Sequence, residues 1–349
     1  LSKNASDLTL AEAALLIGLP NSPSYYDPTV NPEVAVERRN KVLGNMLRQG
    51  TITQEEHDAS VAEPITLNLT EQTVNGTYAH PYFVDYVKTL LQEEFSTDVL
   101  FKGGLTIKTT IDPVVQAAAE NAAVSNLNNY AATARENMDL DIGMTVIDPK
   151  TGAIKAMVGG RDYNRVEDDG SVLRLNHATA RQQPGSSFKP FTLAAIEQGM
   201  NPNITLNCNS PLTWKIAGQA DYRAQNYGNQ SLGYISLARA TELSSNTGYL
   251  QVAETIGNQN IIAMCKKLGL DTSQMEDVLT MTLGTGSFST IEMASAYATF
   301  ANGGTRHEPI AISEIVSRTG ETVFKADTTG EQAISPSVAS AVTGVLEGV

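Results

Sequence analysis

The chain has 349 residues, 41% of them hydrophobic, and a net charge of −14. It is long enough for one large core or two smaller ones and too apolar for wholesale disorder. The acidity argues against a nucleic-acid binder, which needs a basic surface. Two cysteines, Cys208 and Cys265, are too few for a disulfide framework or a zinc site. The histidines, His57, His80, His177 and His307, show no ligand spacing, so no metal or cofactor is expected. No stretch approaches the roughly 18 apolar residues of a membrane span. The best run, Ala13 to Leu19, is short and follows Glu12.

Residues 1–64 read as three helices. Thr9 to Glu12 forms a capping box, and Gly18 with Pro20 closes that helix. Asn31-Pro32 opens a second, running to Gly50. Thr53 to Glu56 caps a third, ended by Pro64. Residues 65–140 change character: Gly103 to Thr110 alternates like a strand, and Asp112 caps a helix with Pro113 at its first position. From 141 a new core begins. Gly143–Ile147 and Ala153–Val158 are predicted strands, joined by a hairpin turn at Asp148 to Gly152. A helix begins near Ser186 and stops near Gly199. Ser289 to Glu292 caps another, ending at Asn302-Gly303-Gly304. A hairpin from Ile310 to Lys325 turns at Thr319-Gly320, and a last helix starts at Ser335-Pro336.

The chemistry concentrates at Gln183-Pro184-Gly185-Ser186-Ser187-Phe188-Lys189-Pro190. In a helix, positions i and i+3 share a face, so the Lys189 amine can reach the Ser186 hydroxyl. A serine hydroxyl is a poor nucleophile until a base takes its proton, and a lysine shielded from water can lose its charge and be that base. Ser187 is the rival nucleophile; its i+3 partner is Pro190, which offers no base. A second cluster, Ser244-Ser245-Asn246, follows a helical stretch from Leu237 to Leu243. Ser244 could relay a proton and Asn246 could bind an amide through both ends of its carboxamide. Taken alone, this cluster reads as a helix C-terminus rich in small polar residues.

The two clusters, in this order and spacing, resemble the penicillin-binding transpeptidases, for which Ser-x-x-Lys followed by Ser-x-Asn is a signature. Asp148 to Gly152 with Met157 to Gly160, and Glu292 through Gly304, are similar to the same family. So are Leu8 to Leu16 and Arg38 to Leu43, which look like the end of the glycosyltransferase lobe of bifunctional, class A members. Tyr82-Phe83-Val84 and Gly103-Gly104-Leu105 resemble their connector.

That resemblance implies an α/β (α+β) fold: a serine β-lactamase/transpeptidase-like sheet flanked by helices, with a helical glycosyltransferase remnant and a small linker domain before it. Residues 1–64 would be the end of the glycosyltransferase lobe, 65–140 the linker and 141–349 the transpeptidase domain. It implies acyl transfer on peptidoglycan stem peptides, with Ser186, Lys189 and Ser244 catalytic and Asn246 binding substrate. Lys189 should then have a pKa of roughly 7–8. The Ser186 N–H would be one oxyanion donor. Implied partners are stem peptides, glycan strands and β-lactams, with cell-wall assembly proteins as further candidates, at the outer face of a bacterial cytoplasmic membrane. The alternatives are a D,D-carboxypeptidase or β-lactamase-type hydrolase on the same serine, and a non-catalytic peptidoglycan-binding scaffold.

Two departures stand out. The family's third motif, Lys-Thr/Ser-Gly, should follow the second. Here Lys150-Thr151-Gly152 precedes Ser186 and reads as a turn, Gly284-Thr285-Gly286 lacks the lysine, and Ser2-Lys3-Asn4 is a chance match to the second motif. The motif is expected beyond Val349. The chain taken by itself is then expected to be a weak or inactive enzyme, since one missing oxyanion donor costs about 3–4 kcal/mol, and to be poorly stable. The family's glycosyltransferase glutamates are expected upstream. Glu12, Glu55 and Glu56 are explained by capping.

Overall fold

The computed structural model describes residues 1, 3–67, 79–96, 104–133, 140–166, 172, 174–198, 201, 203–215 and 221–349. These divide into two compact units, Leu1–Ala79 and His80–Val349. In the first unit, α1 (Leu10–Gly18) and α3 (Gln54–Ala62) each begin with a full capping box, on Thr9 with Glu12 and on Thr53 with Glu56. Between them runs α2 (Pro32–Arg48), which packs on both. Two adjacent arginines of α2 close the other helix ends. Arg38 donates from Nε to Gly18 O, and the buried Arg39 guanidinium donates to Val61 O and Glu63 O. An end carbonyl of each helix, Gly18 O and Val61 O, thus meets a cation, the sign the helix dipole favours there.

The second unit opens with α4 (Pro81–Glu94), whose Phe83, Val87 and Leu91 recur every four residues and form one buried stripe. Strand β1 (Thr106–Thr109) follows; Gly103, the start of the expected strand, lies outside the described residues. Asp112 caps α5 (Pro113–Thr133) by accepting from the Val114 and Val115 amides. The predicted hairpin is present as β2 (Met144–Ile147) antiparallel to β3 (Ile154–Val158). Helices α4 and α5 both pack on β3, so it is buried nearly throughout.

After the hairpin, a 3-10 turn at Gly185–Phe188 leads into α6 (Lys189–Ala195), every residue of which is buried. Gly199, where this helix was expected to stop, lies outside the described residues. Four three-residue strands come next: β4 (Thr205–Asn207), β5 (Leu212–Trp214), β6 (Tyr222–Ala224) and β7 (Tyr234–Ser236), paired as β4 with β7 and β5 with β6. Helices α7 (Leu237–Glu242), α8 (Asn246–Ile256) and α9 (Asn258–Lys267) follow. Then α10 (Thr290–Ala301) starts on the Ser289–Glu292 capping box and packs on β2.

A short β8 (Thr305–Arg306) precedes the second hairpin, β9 (Ile312–Val316) and β10 (Thr322–Lys325), and β9 also pairs antiparallel with β1. β11 (Glu331–Gln332) pairs with β8, and α11 (Pro336–Leu346) is capped by Ser335. Thr110 joins the two hairpins: its hydroxyl is 2.8 Å from both Ile154 O and Ile310 O. The result is a mixed structure in which α6 is the buried centre of the helical part, packed by α8, α9 and α11. Within the connector expected at 65–140, the described residues from His80 onward belong to the same compact unit as this core.

Candidate active site

The turn before α6 places its side chains by a simple backbone rule. Pro190 has no N–H with which to bond Ser186 O. The Lys189 N–H takes that carbonyl instead, and an i→i+3 turn results. At three residues per turn, Ser186 and Lys189 lie one above the other, closer than in the α-helical spacing expected from sequence. Gly185, at φ +55°, lets the chain enter. Phe188 anchors the turn, edge-on to Phe191 at 5.4 Å and stacked with Phe288 at 5.9 Å. Ser186 is left exposed, while Lys189 beneath it is 2% exposed.

The opposite wall is the link between α7 and α8. The Ser244 N–H bonds Thr241 O and the Ser245 N–H bonds Ala240 O, a Schellman closure of α7. Glycine normally fills the left-handed position of that closure; here it is Ser244, at φ +53°. Such a residue costs roughly 1–2 kcal/mol relative to glycine, and strain of this kind collects at functional sites. Ser245 caps α8 by accepting from the Gly248 amide.

Lys189 Nζ is the meeting point. It lies 2.7 Å from Ser244 O, 2.8 Å from Asn246 Oδ1, 3.0 Å from Ser244 Oγ and 3.1 Å from Ser186 Oγ. Asn246 Nδ2 donates to Gln225 O at 2.9 Å, which sets which end of the carboxamide faces the lysine. Burial holds the Lys189 amine down to about 8 from its usual 10.5. The Tyr249 ring lies 5.5 Å away, on the side a cation favours. Because burial disfavours the protonated form in the fold, the amine opposes folding fully below about pH 8, and this cost fades as pH rises towards 10.5.

The arrangement decides what a neutral amine would do. Ser244 O and Asn246 Oδ1 can only accept, and they are the two nearest partners, so they take its two N–H groups. Its lone pair is then left to the two hydroxyls, Ser186 and Ser244, either of which can donate a proton to it. Ser187, the rival nucleophile, is committed elsewhere: its hydroxyl donates to Pro184 O at 2.7 Å and its carbonyl accepts from Tyr297 OH.

The four residues singled out from sequence, Ser186, Lys189, Ser244 and Asn246, thus share one cluster. The look-alike motifs do not join it. Lys150-Thr151-Gly152 closes the β2–β3 hairpin around Asp148, which accepts from the Lys150 amide and the Thr151 hydroxyl. Lys3 pairs with Glu12. Gly284-Thr285-Gly286 does reach the site, as backbone: Gly284 O accepts from the Gly185 amide and Thr285 O from Gln183. Gln225, Asn226 and Tyr249 were not singled out from sequence. Tyr249 sits one helical turn after Ser245 and could have been found by helix spacing; the first two had no local signal. Among the described residues, no three His, Cys, Asp or Glu come together to hold a metal.

Residues 142–349 match the family profile of the penicillin binding protein transpeptidase domain, and residues 1–47 match the transglycosylase profile. Penicillin-binding protein 2D of Bacillus subtilis is 30% identical over 99% of this chain and 49% of its own length. Penicillin-binding protein 1A of Haemophilus influenzae superposes with a TM-score of 0.80 at 23% identity, over 99% of this chain and 68% of that one. The PonA1 protein of Mycobacterium tuberculosis, solved with penicillin V, gives 0.62 at 26%, over 77% and 70%. The chain spans about half the length of the curated relatives it matches. The superpositions show the α/β transpeptidase fold expected from sequence. Since the transpeptidase profile alone accounts for more than half of the residues, the chain belongs to the penicillin-binding transpeptidase family.

Proposed function

We propose that this chain carries the D,D-transpeptidase of a bifunctional cell-wall synthase, working on peptidoglycan stem peptides outside the bacterial cytoplasmic membrane. Among the described residues no helix is long and apolar enough to cross a membrane. The observation that carries the proposal is the convergence on Lys189 Nζ of two obligate acceptors and two hydroxyls.

Ser186 Oγ attacks the carbonyl joining two terminal D-alanines while its proton passes to Lys189. The bond to the terminal D-alanine breaks. Ser244, 3.0 Å from the same amine, hands the proton on to the leaving nitrogen. The remaining peptide is held as an ester on Ser186. An amine from a neighbouring stem then attacks that ester and restores the serine, forming the crosslink. Asn246 supports the peptide at the edge of the site. A β-lactam enters by the first step and remains as the ester. The transglycosylase match at residues 1–47 supports the bifunctional parent. Glu12 in that segment and Glu56 after it are held in capping boxes, and neither is assigned a role in glycan chemistry.

The test is covalent labelling of the full-length gene product with a fluorescent penicillin. Ser186→Ala abolishes the label and Ser187→Ala retains it. Label surviving Ser186→Ala overturns the assignment.

A further inference from the structure

Asn226 breaks the usual burial pattern. It is 6% exposed, while its neighbour Tyr227 is 93% exposed, so at this turn the carboxamide is inside and the aromatic ring outside. A buried carboxamide must find its hydrogen bonds within the protein, and Asn226 finds them on both sides of Asn246. Its oxygen accepts from Ser245 Oγ at 3.2 Å, from the Thr247 amide at 3.1 Å and from Thr247 Oγ1 at 3.2 Å. Its nitrogen donates to Cys208 O and Gln230 O, both at 2.9 Å, which fixes the orientation of the amide. The preceding carbonyl, Gln225 O, accepts from the Asn246 side chain itself.

We propose that Asn226 is a positioning residue for the acyl-transfer site, acting through Asn246; the inference rests on the transpeptidase reading above. The N-terminus of α8 is already capped by Ser245, so the extra clamp is not needed to start that helix. What it adds is a fixed direction for Asn246. With Ser245 and Thr247 both held and Asn246 Nδ2 committed to Gln225, the Asn246 oxygen faces Lys189 Nζ. Without the clamp, Asn246 turns away. The lysine N–H it occupied then goes to a hydroxyl, and the lone pair no longer points at Ser186. A second consequence concerns the 225–230 loop: the same five hydrogen bonds make it a rigid edge of the site, carrying Tyr227 on its outer side.

The experiment is a double-mutant cycle on the full-length gene product, reading the rate constant for acylation by penicillin in wild type, Asn226→Ala, Asn246→Ala and the double variant. Each single change lowers the rate roughly 100-fold, the loss expected from small misplacement in a site. The double variant is no slower than Asn246→Ala alone, because the two residues act as one. The acid limb of the pH–rate profile also moves equally in both single variants. Asn226→Ser, which keeps one donor and one acceptor, repeats the cycle if the alanine variant does not fold. Losses that multiply, or a pH profile that moves only in Asn246→Ala, overturn the inference and leave a purely structural asparagine. A wild-type protein that no penicillin acylates sinks the transpeptidase reading instead, and this inference with it.

Discussion

Two lysine-bearing turns in the same unit match the family's short motifs, and only one makes a site. At residues 148–152 the polar atoms close on each other: Asp148 takes the Lys150 amide and the Thr151 hydroxyl, and the Lys150 side chain is left in solvent. At residues 185–189 they do the reverse. The turn keeps the Ser186 hydroxyl free of its own backbone and buries the lysine, whose two carbonyl acceptors come from a segment more than fifty residues away. Exposed, an amine stays a solvated cation. Burial pulls the Lys189 pKa down to about 8, and with its two pure acceptors taking N–H groups the neutral amine turns its lone pair to the two hydroxyls. The difference lies in what surrounds each lysine, which a four-letter pattern does not encode.

Changes at the two turns should therefore differ by orders of magnitude. Lys189→Ala is expected to slow penicillin acylation about 10²–10⁴-fold, the usual worth of a general base. Lys189→Arg should be as slow, since a guanidinium keeps its proton; an active arginine variant would make the lysine a mere countercharge. Ser244→Gly removes the hydroxyl proposed as the relay and also the left-handed strain. Acylation is expected to fall about 100-fold while the protein gains about 1 kcal/mol of stability, read as a higher melting temperature. A variant that is both slower and less stable would show that the Ser244 side chain supports the fold. Lys150→Ala should change stability by less than about 0.5 kcal/mol and leave acylation at the wild-type rate.

Much of this was legible in the sequence where the signal is local. The capping boxes at Thr9, Thr53 and Ser289 are three-residue spacings, and the hairpins at 148–152 and 319–320 are turn chemistry. The Ser186–Lys189 pair is one turn of backbone. The 3-10 form of that turn follows from Pro190, a consequence visible only when each carbonyl is assigned a donor. The strands between Thr205 and Ser236 are three residues each, too short for alternation to show. Asn226 is further still from sequence reading: it lies 18 residues before Ser244, and its role comes from hydrogen bonds across that gap. Helix α4 carries a clear four-residue apolar stripe, yet it was not among the elements named from sequence, because the connector was read by its turn residues.

The central claim is that burial lets Lys189 give up its proton near pH 8 and take that of Ser186. The most direct test is the pH dependence of penicillin acylation in the full-length gene product. With the amine held to about 8, the rate should climb about tenfold per pH unit below that value and level off above it. A rate that stays flat between about pH 6 and pH 9 would mean that the group taking the serine proton does not titrate near 8, and the account would fail.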